Sequence, residues 1–356
     1  MSDQRNLIIA IGLSLAILLG FQFFFEAPRQ EHMQKLADEQ AAEQARQTGQ
    51  GPDGSLIPTA PAQSGTPGAP GTAQTGSIPG APAIQAAPGA SRDAALRQSP
   101  RVPVNGPRLG GSIALKGGRI DDLTMLDYKA TIDEGSPAVT LFSPQGAPQP
   151  YFGQFGWVPI GELKVPDSDT VWQADHPSVQ PARPLTLSWD NGQGVRFIQV
   201  VEIDDNFMMT VTQRVENNST QAISTHPYGR IARTHTPNTL GFYILHEGPL
   251  AVFNETLKEV DYDDLQEGPA DATKSTGGWI GITDKYWLAA LIPDQKQPYT
   301  GTFRYSKPNK QDTYQADFMT QAPQLIAPGA TAQTVSHVFV GAKEVTLLDR
   351  YEEQLG

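Results

Sequence analysis

The chain has 356 residues, a net charge of -12 and no cysteine. The acidic balance excludes a nucleic-acid protein, which would carry basic patches, and a polybasic membrane-surface domain. Without cysteine there are no disulfides, no thiolate zinc ligands and no thiol nucleophile.

The first predicted element is a membrane anchor. Residues 7–25 carry no charge, and Gln22 is their only strongly polar side chain. About 19 residues at ~1.5 Å per residue make ~28 Å of helix, close to the ~30 Å of bilayer hydrocarbon. A signal peptide has a shorter apolar run and a small-x-small cleavage site. Here the run leaves through Phe23, Phe24 and Phe25 into Glu26, Ala27 and Pro28, which suits an aromatic interface and a retained anchor. Arg5 and the amino terminus flank one side. Beyond the span, Glu26, Glu31, Asp38, Glu39 and Glu43 outnumber Arg29, Lys35 and Arg46. The short tail is therefore expected on the cytoplasmic side and the rest of the chain is expected to be exported.

A linker follows. "EHMQKLADEQAAEQARQ" reads as a polar helical extension without an apolar stripe. Residues 48–91 are rich in Gly, Pro, Ala, Ser and Gln, with Asp53 the only charge and no aromatic residue. Such a segment buries too little apolar surface to offset its ordering entropy, so a disordered tether is expected. About 60 flexible residues span ~45 Å root-mean-square. Because no core residue is expected in it, shortening the tether should leave the domain beyond it folded.

From Gly106 to residue 341 the pattern is that of strands. "GSIALKGGRIDDLTMLDY" predicts two strands around a Gly117-Gly118 turn. In "PLTLSWDNGQGVRFIQVVEIDDNFMMTVTQRVENNS", Leu185, Leu187 and Trp189 alternate before an Asp190-Asn191-Gly192 turn. Val195, Phe197, Gln199, Val201 and Ile203 follow, then an Asp204-Asp205-Asn206 turn, then Met209, Val211 and Gln213. Period two with Asn, Asp and Gly turns predicts an antiparallel meander. "GGWIGITDKYWLAALIP" predicts a hairpin and "TAQTVSHVFVGAK" a further strand. About 230 residues of strand pattern exceed a small barrel and favour a large two-sheet sandwich. In "AKEVTLLDRYEEQLG", Val345, Leu348, Tyr351 and Leu355 define one face of an amphipathic helix, expected to pack on the sandwich.

Motifs of chemistry are weak. "GGSIA" around Ser112 lacks the last glycine of a nucleophile elbow, and Gly192-Gln193-Gly194 sits in a hairpin turn rather than before a helix. "DYDDLQEG" from Asp261 departs from a calcium loop at Leu265 and Gln266 and is expected to be a solvated acidic loop. His176, His226, His235 and His246, the last beside Glu247, are expected in or beside loops. An imidazole and a carboxylate can act as acid and base, but spacing does not show that any two converge. Trp157, Trp172, Trp189, Trp279 and Trp287 could line a cleft; Trp279 and Trp287 sit in strand patterns and are expected in the core. No catalytic, cofactor-binding or metal-binding residue is assigned.

Several of these segments resemble one family. "DQRNLIIAIGLSLAILLGFQFFF" is similar to the opening of the bacterial YidC membrane protein insertases. "GGWIGITDKYWLAALIP", with Gly277, Gly278, Trp279, Tyr286 and Pro293, resembles the periplasmic-domain signature of that family. The central meander and "HVFVGAKEVTLLDRY" resemble its meander and its final strand and helix. The resemblance implies a mainly β fold: a large antiparallel, mutarotase-like β-supersandwich behind an N-terminal transmembrane helix and a disordered linker, closed by an amphipathic helix. It implies the bacterial inner membrane as location, with the bulk of the chain in the periplasm. It implies help in inserting and folding inner-membrane proteins, with nascent membrane proteins, the lipid bilayer, the Sec translocon and a SecDF-type accessory as partners. No enzyme activity, cofactor or nucleic acid is implied. Family members continue into a bundle of five further membrane helices holding a functional Arg; nothing after Phe25 reads as a span, and Arg350 is an ordinary helix-surface charge. The expected organisation is a tail and anchor at 1–26, a polar helix and linker at 27–105, the β domain at 106–341 and the helix at 342–356. The alternatives are a membrane-anchored carbohydrate-binding or mutarotase-like protein and a stand-alone periplasmic scaffold.

Overall fold

The computed structural model describes residue 78 and residues 91–239, 245–268 and 270–356. The expected anchor, the polar helical extension and most of the expected linker lie outside the described residues.

A short helix α1 (Arg92–Leu96) is capped by the Ser91 hydroxyl, which accepts from the Ala94 N–H at 3.3 Å. Strands β1 (Arg101–Asn105), β2 (Leu109–Ala114), β3 (Arg119–Lys129), β4 (Ala138–Phe142) and β5 (Tyr151–Pro159) follow. Next come β6 (Gln173–Ala174), β7 (Leu185–Asp190), β8 (Val195–Ile203), β9 (Met208–Asn217) and β10 (Ile223–Thr234). Then β11 (Gly248–Phe253) and β12 (Thr256–Glu259) lead to helix α2 (Tyr262–Glu267). Strands β13 (Asp271–Ser275), β14 (Gly278–Thr283), β15 (Trp287–Ile292), β16 (Tyr299–Ser306), β17 (Thr313–Thr320), β18 (Gln324–Ile326) and β19 (Thr331–Ala342) precede helix α3 (Val345–Leu355).

The strands form two antiparallel sheets. One runs β1-β2-β3-β5-β10-β17-β16-β13, with β4 paired to β3 and β18 to β10. The other runs β12-β11-β14-β15-β19-β9-β8-β7-β6. The core lies between them, with Trp157, Phe197, Ile231, Phe303 and Phe318 at or near zero exposure. Inward positions of β8 and β9 carry Gln199 and Gln213 among the apolar residues. Each side-chain amide donates to a backbone carbonyl of β5 in the opposite sheet, Phe155 O at 2.9 Å and Gly156 O at 2.6 Å. Burying an amide is tolerated only when it is so bonded, and these two bonds tie the sheets together.

The turns follow their side chains. The Asn191 carboxamide oxygen accepts from the Gln193 and Val195 N–H groups at 2.7 and 3.1 Å, closing the β7–β8 hairpin. The β14–β15 pair is the expected hairpin, with register Thr283 to Leu288. On β19, Gly341 admits the Phe207 ring, because a Cβ there would stand 2.3 Å from the ring's Cγ.

Four expectations are corrected. The boundary at Gly106 falls late: β1 pairs with β2 along its length, so residues 101–105 belong to the sandwich and not to the linker. Within the expected linker, Ile78 is 1% exposed and packs with Val158 and Tyr228. The acidic stretch from Asp261 is not a loop. It forms α2, with Asp263 and Asp264 in the first turn, where they complement the helix dipole, and Tyr262 and Leu265 buried. On α3 the expected Tyr351, Leu348 and Leu355 do pack on the sandwich, but Leu347 joins them as a buried residue and Val345, at 71% exposed, does not. Val345 is the first helical residue, and the register of docking is set by what anchors the turn before it.

Candidate functional site

A cavity of about 520 Å³ opens where β4, the start of β5, the end of β10 and the β14–β15 turn meet. Antiparallel register sets Tyr151 opposite Arg233. The Arg233 guanidinium donates to Asp284 Oδ1 at 2.6 Å and lies 4.9 Å from the centre of the Tyr151 ring. Burial alone would lower the Arg233 pKa, but Asp284, with Tyr262 and Tyr151, outweighs it and the net shift is upward. Burial pushes the Tyr151 phenol well up. The site therefore places the Arg233–Asp284 ion pair beside a neutral phenol. Trp287 forms part of the wall, edge-on to Tyr128 with centroids 5.2 Å apart. His235 follows β10 with φ of 74°, and its buried Nδ1 has no hydrogen-bond partner. A cavity of this size and mixed lining suits a side chain or short polar segment.

The four histidines have different surroundings. His235 lines the cavity. His176 is exposed between β6 and β7. His226 lies inside β10 rather than in a loop, with Nδ1 2.9 Å from Thr320 O. His246 places Nε2 3.0 Å from the Pro249 carbonyl oxygen and Nδ1 3.6 Å from Asp261. Its neighbour Glu247 accepts from the Lys285 N–H at 3.0 Å, so the two adjacent side chains serve different partners. Ser112 lies in β2 and donates to Asp122 at 2.6 Å. Trp157 and Trp172 are buried; Trp189, Trp279 and Trp287 are half-buried against the core.

A second constellation, which no local pattern announced, holds the start of α3. Glu344 precedes that helix, and its carboxylate accepts from the Tyr128 hydroxyl at 2.5 Å and from two nitrogens of Arg108. Arg108 also pairs with Asp127, and its guanidinium stands 4.3 Å from the centre of the Phe207 ring. The Arg108 hydrogen bond, then that of Tyr128, lowers the Glu344 pKa. Two turns on, the Tyr351 hydroxyl donates to Asp204 Oδ2. The other Asp204 oxygen accepts from the Asn206 and Met208 N–H groups at 2.8 and 3.0 Å and shapes the β8–β9 turn. Arg350, by contrast, is exposed. Arg108 and Glu344 are 236 positions apart, which is why sequence spacing could not pair them.

Together these features define a class: a two-sheet antiparallel β-sandwich whose terminal helix is fixed to it through Glu344 and Tyr351. Among the described residues no helix is long and apolar enough to cross a membrane. The family described as the YidC periplasmic domain matches residues 101–356. The chain is 42% identical to the membrane protein insertase YidC of Methylobacterium radiotolerans, over 100% of this chain and 58% of that protein. It is 35% identical to the insertase YidC of Rickettsia bellii, over 98% of this chain and 57% of that one. The chain belongs to the YidC family and carries its periplasmic domain. It spans a little over half the length of these relatives. Among solved structures, it is similar to a galactose mutarotase related enzyme from Lactobacillus acidophilus, with TM-score 0.48 and 8% identity over 69% of this chain and 99% of that one.

Proposed function

We propose that this chain is the anchor and exported domain of a membrane protein insertase of the bacterial inner membrane. On this reading residues 1–26 are a tail and spanning helix, a tether follows, and a mutarotase-like supersandwich stands in the periplasm. The domain helps insert and fold inner-membrane proteins, alone or with the Sec translocon. Its partners are nascent inner-membrane proteins, the translocon with a SecDF-type accessory, and the lipid bilayer. No residue acts as a catalyst and no cofactor is needed, because insertion lowers the cost of carrying polar groups across hydrocarbon rather than making bonds.

The observation that carries this reading is the fixed α3. The Arg108–Glu344–Tyr128 cluster and the Tyr351–Asp204 bond make the helix continuous with the sandwich, so the orientation of one sets that of the other. A photo-crosslinking residue at Thr236, in the cavity rim, tests the contact role in the native membrane. It is expected to capture nascent inner-membrane chains or translocon subunits, whereas the same probe at the exposed Leu325, at the other end of β10, does not. Equal labelling from both positions, or capture of no membrane-protein partner, overturns it. The carbohydrate-binding and stand-alone scaffold readings are not favoured by the relatives.

A further inference from the structure

The ten-stranded sheet has a second face, turned away from the inter-sheet core. Register places Tyr228 opposite Met319 on one side and Gly156 on the other, with Val158 opposite His226. The alternate residues Ile231, Ala316 and Phe318 point into the main core, so Tyr228, Met319 and Val158 stand on the outer face. Gly156 leaves room for the Tyr228 ring to lie over β5, since a Cβ there would come within 2.7 Å of the phenol oxygen. The result is a flat apolar seat.

A polar row runs beside it, one step along the strands. Arg230 stands between Gln154 and Asp317 in register, and its guanidinium donates to Gln154 Oε1 at 2.5 and 3.1 Å. Asp317 accepts from Arg304 at 2.8 Å and from Gln315 at 2.7 Å. An apolar seat beside hydrogen-bonding side chains suits an extended segment, which offers side chains and backbone polar groups by turns. The seat is not empty: Ile78 is 1% exposed and clusters there with Val158, Tyr228 and Met319. In sequence Ile78 lies between Ser77 and Pro79. A proline disfavours helix in the residue before it, and a β-branched side chain is stiff, so this segment is ready to dock extended.

We propose that the outer face of the ten-stranded sheet is a docking site for the chain's own linker, held in cis through Ile78. The free length of the tether then ends at Ile78 instead of at the first strand, which keeps the sandwich nearer its anchor. This inference stands apart from the proposed insertase role, and its test reads no insertion.

The absence of cysteine in the chain makes the test clean. The full chain in detergent is prepared as Ile78→Cys/Met319→Cys and, as control, Ile57→Cys/Met319→Cys. Ile57 also precedes a proline, and the two pairs enclose similar lengths of chain, so loop statistics alone would close them at nearly equal rates. Docking predicts intramolecular disulfide closure at least about tenfold faster for the first pair, because a seated side chain raises the local concentration of its partner. Equal rates overturn the proposal. If Met319→Cys lowers the melting temperature, the same comparison with Val158→Cys in its place decides the matter by the same criterion.

Discussion

Leu347→Ala tests whether α3 is held by its apolar contacts or by its polar start alone. Leu347 is 3% exposed and belongs to the main core cluster. Truncating a buried leucine costs about 2–5 kcal/mol; Leu347 sits on a terminal helix whose other packed leucines, Leu348 and Leu355, are only partly buried, so the low end, about 2–3 kcal/mol, applies. At 1.4 kcal/mol per factor of ten, the undocked population rises about 30- to 140-fold. Hydrogen exchange read by mass spectrometry should show the amides of residues 349–355 exchanging faster by about that factor. Peptides from β8, β9 and β19 should keep their protection. Val345→Ala, at a residue 71% exposed, should change nothing, although the sequence stripe places Val345, and not Leu347, on the packed face. Unchanged exchange in α3, or equal loss of protection in the sheets, refutes the reasoning.

Four further outcomes are expected. The Glu344 pKa is lowered by Arg108 and Tyr128, so its stabilisation is complete above the usual carboxylate value of 4.5 and fades as pH falls through the lowered one. The melting-temperature gap between wild type and Glu344→Gln should therefore close below about pH 4.5, and a gap independent of pH counts against the cluster. Burial lowers the His337 pKa below its ordinary 6.5, so the folded state binds fewer protons, and stability should decline as pH drops below 6.5; His337→Gln should flatten that slope in thermal melts. Arg233→Leu leaves the half-buried Asp284 without its partner and should cost about 2 kcal/mol in urea unfolding, with part of the loss recovered in Arg233→Leu/Asp284→Leu. Gly341→Ala drives a methyl into the Phe207 ring and should cost about 2–3 kcal/mol in the same assay.

Much of the fold is legible where the reasons for it are local. The β7–β8–β9 meander follows from alternation and from Asn191 and Asp204, whose side chains bond their own turns. The β14–β15 hairpin is legible for the same reason. Less was legible of α2, because its six residues are too short to display a helical period, and their acidity resembles that of a loop. Nothing in the sequence paired Arg108 with Glu344 or Arg233 with Asp284, because strands distant in order become neighbours only when the sheets close.

By itself, then, the sequence determined the antiparallel strand pattern, the closing helix and the family, since these rest on periodicity, turn chemistry and residue identity over short spans. The tertiary structure decided that Leu347 and not Val345 completes the packed face of α3, where the sandwich begins, which polar side chains share the cavity and where Ile78 is seated. Those depend on contacts between segments far apart in the chain, and burial selects among faces that the sequence leaves equivalent.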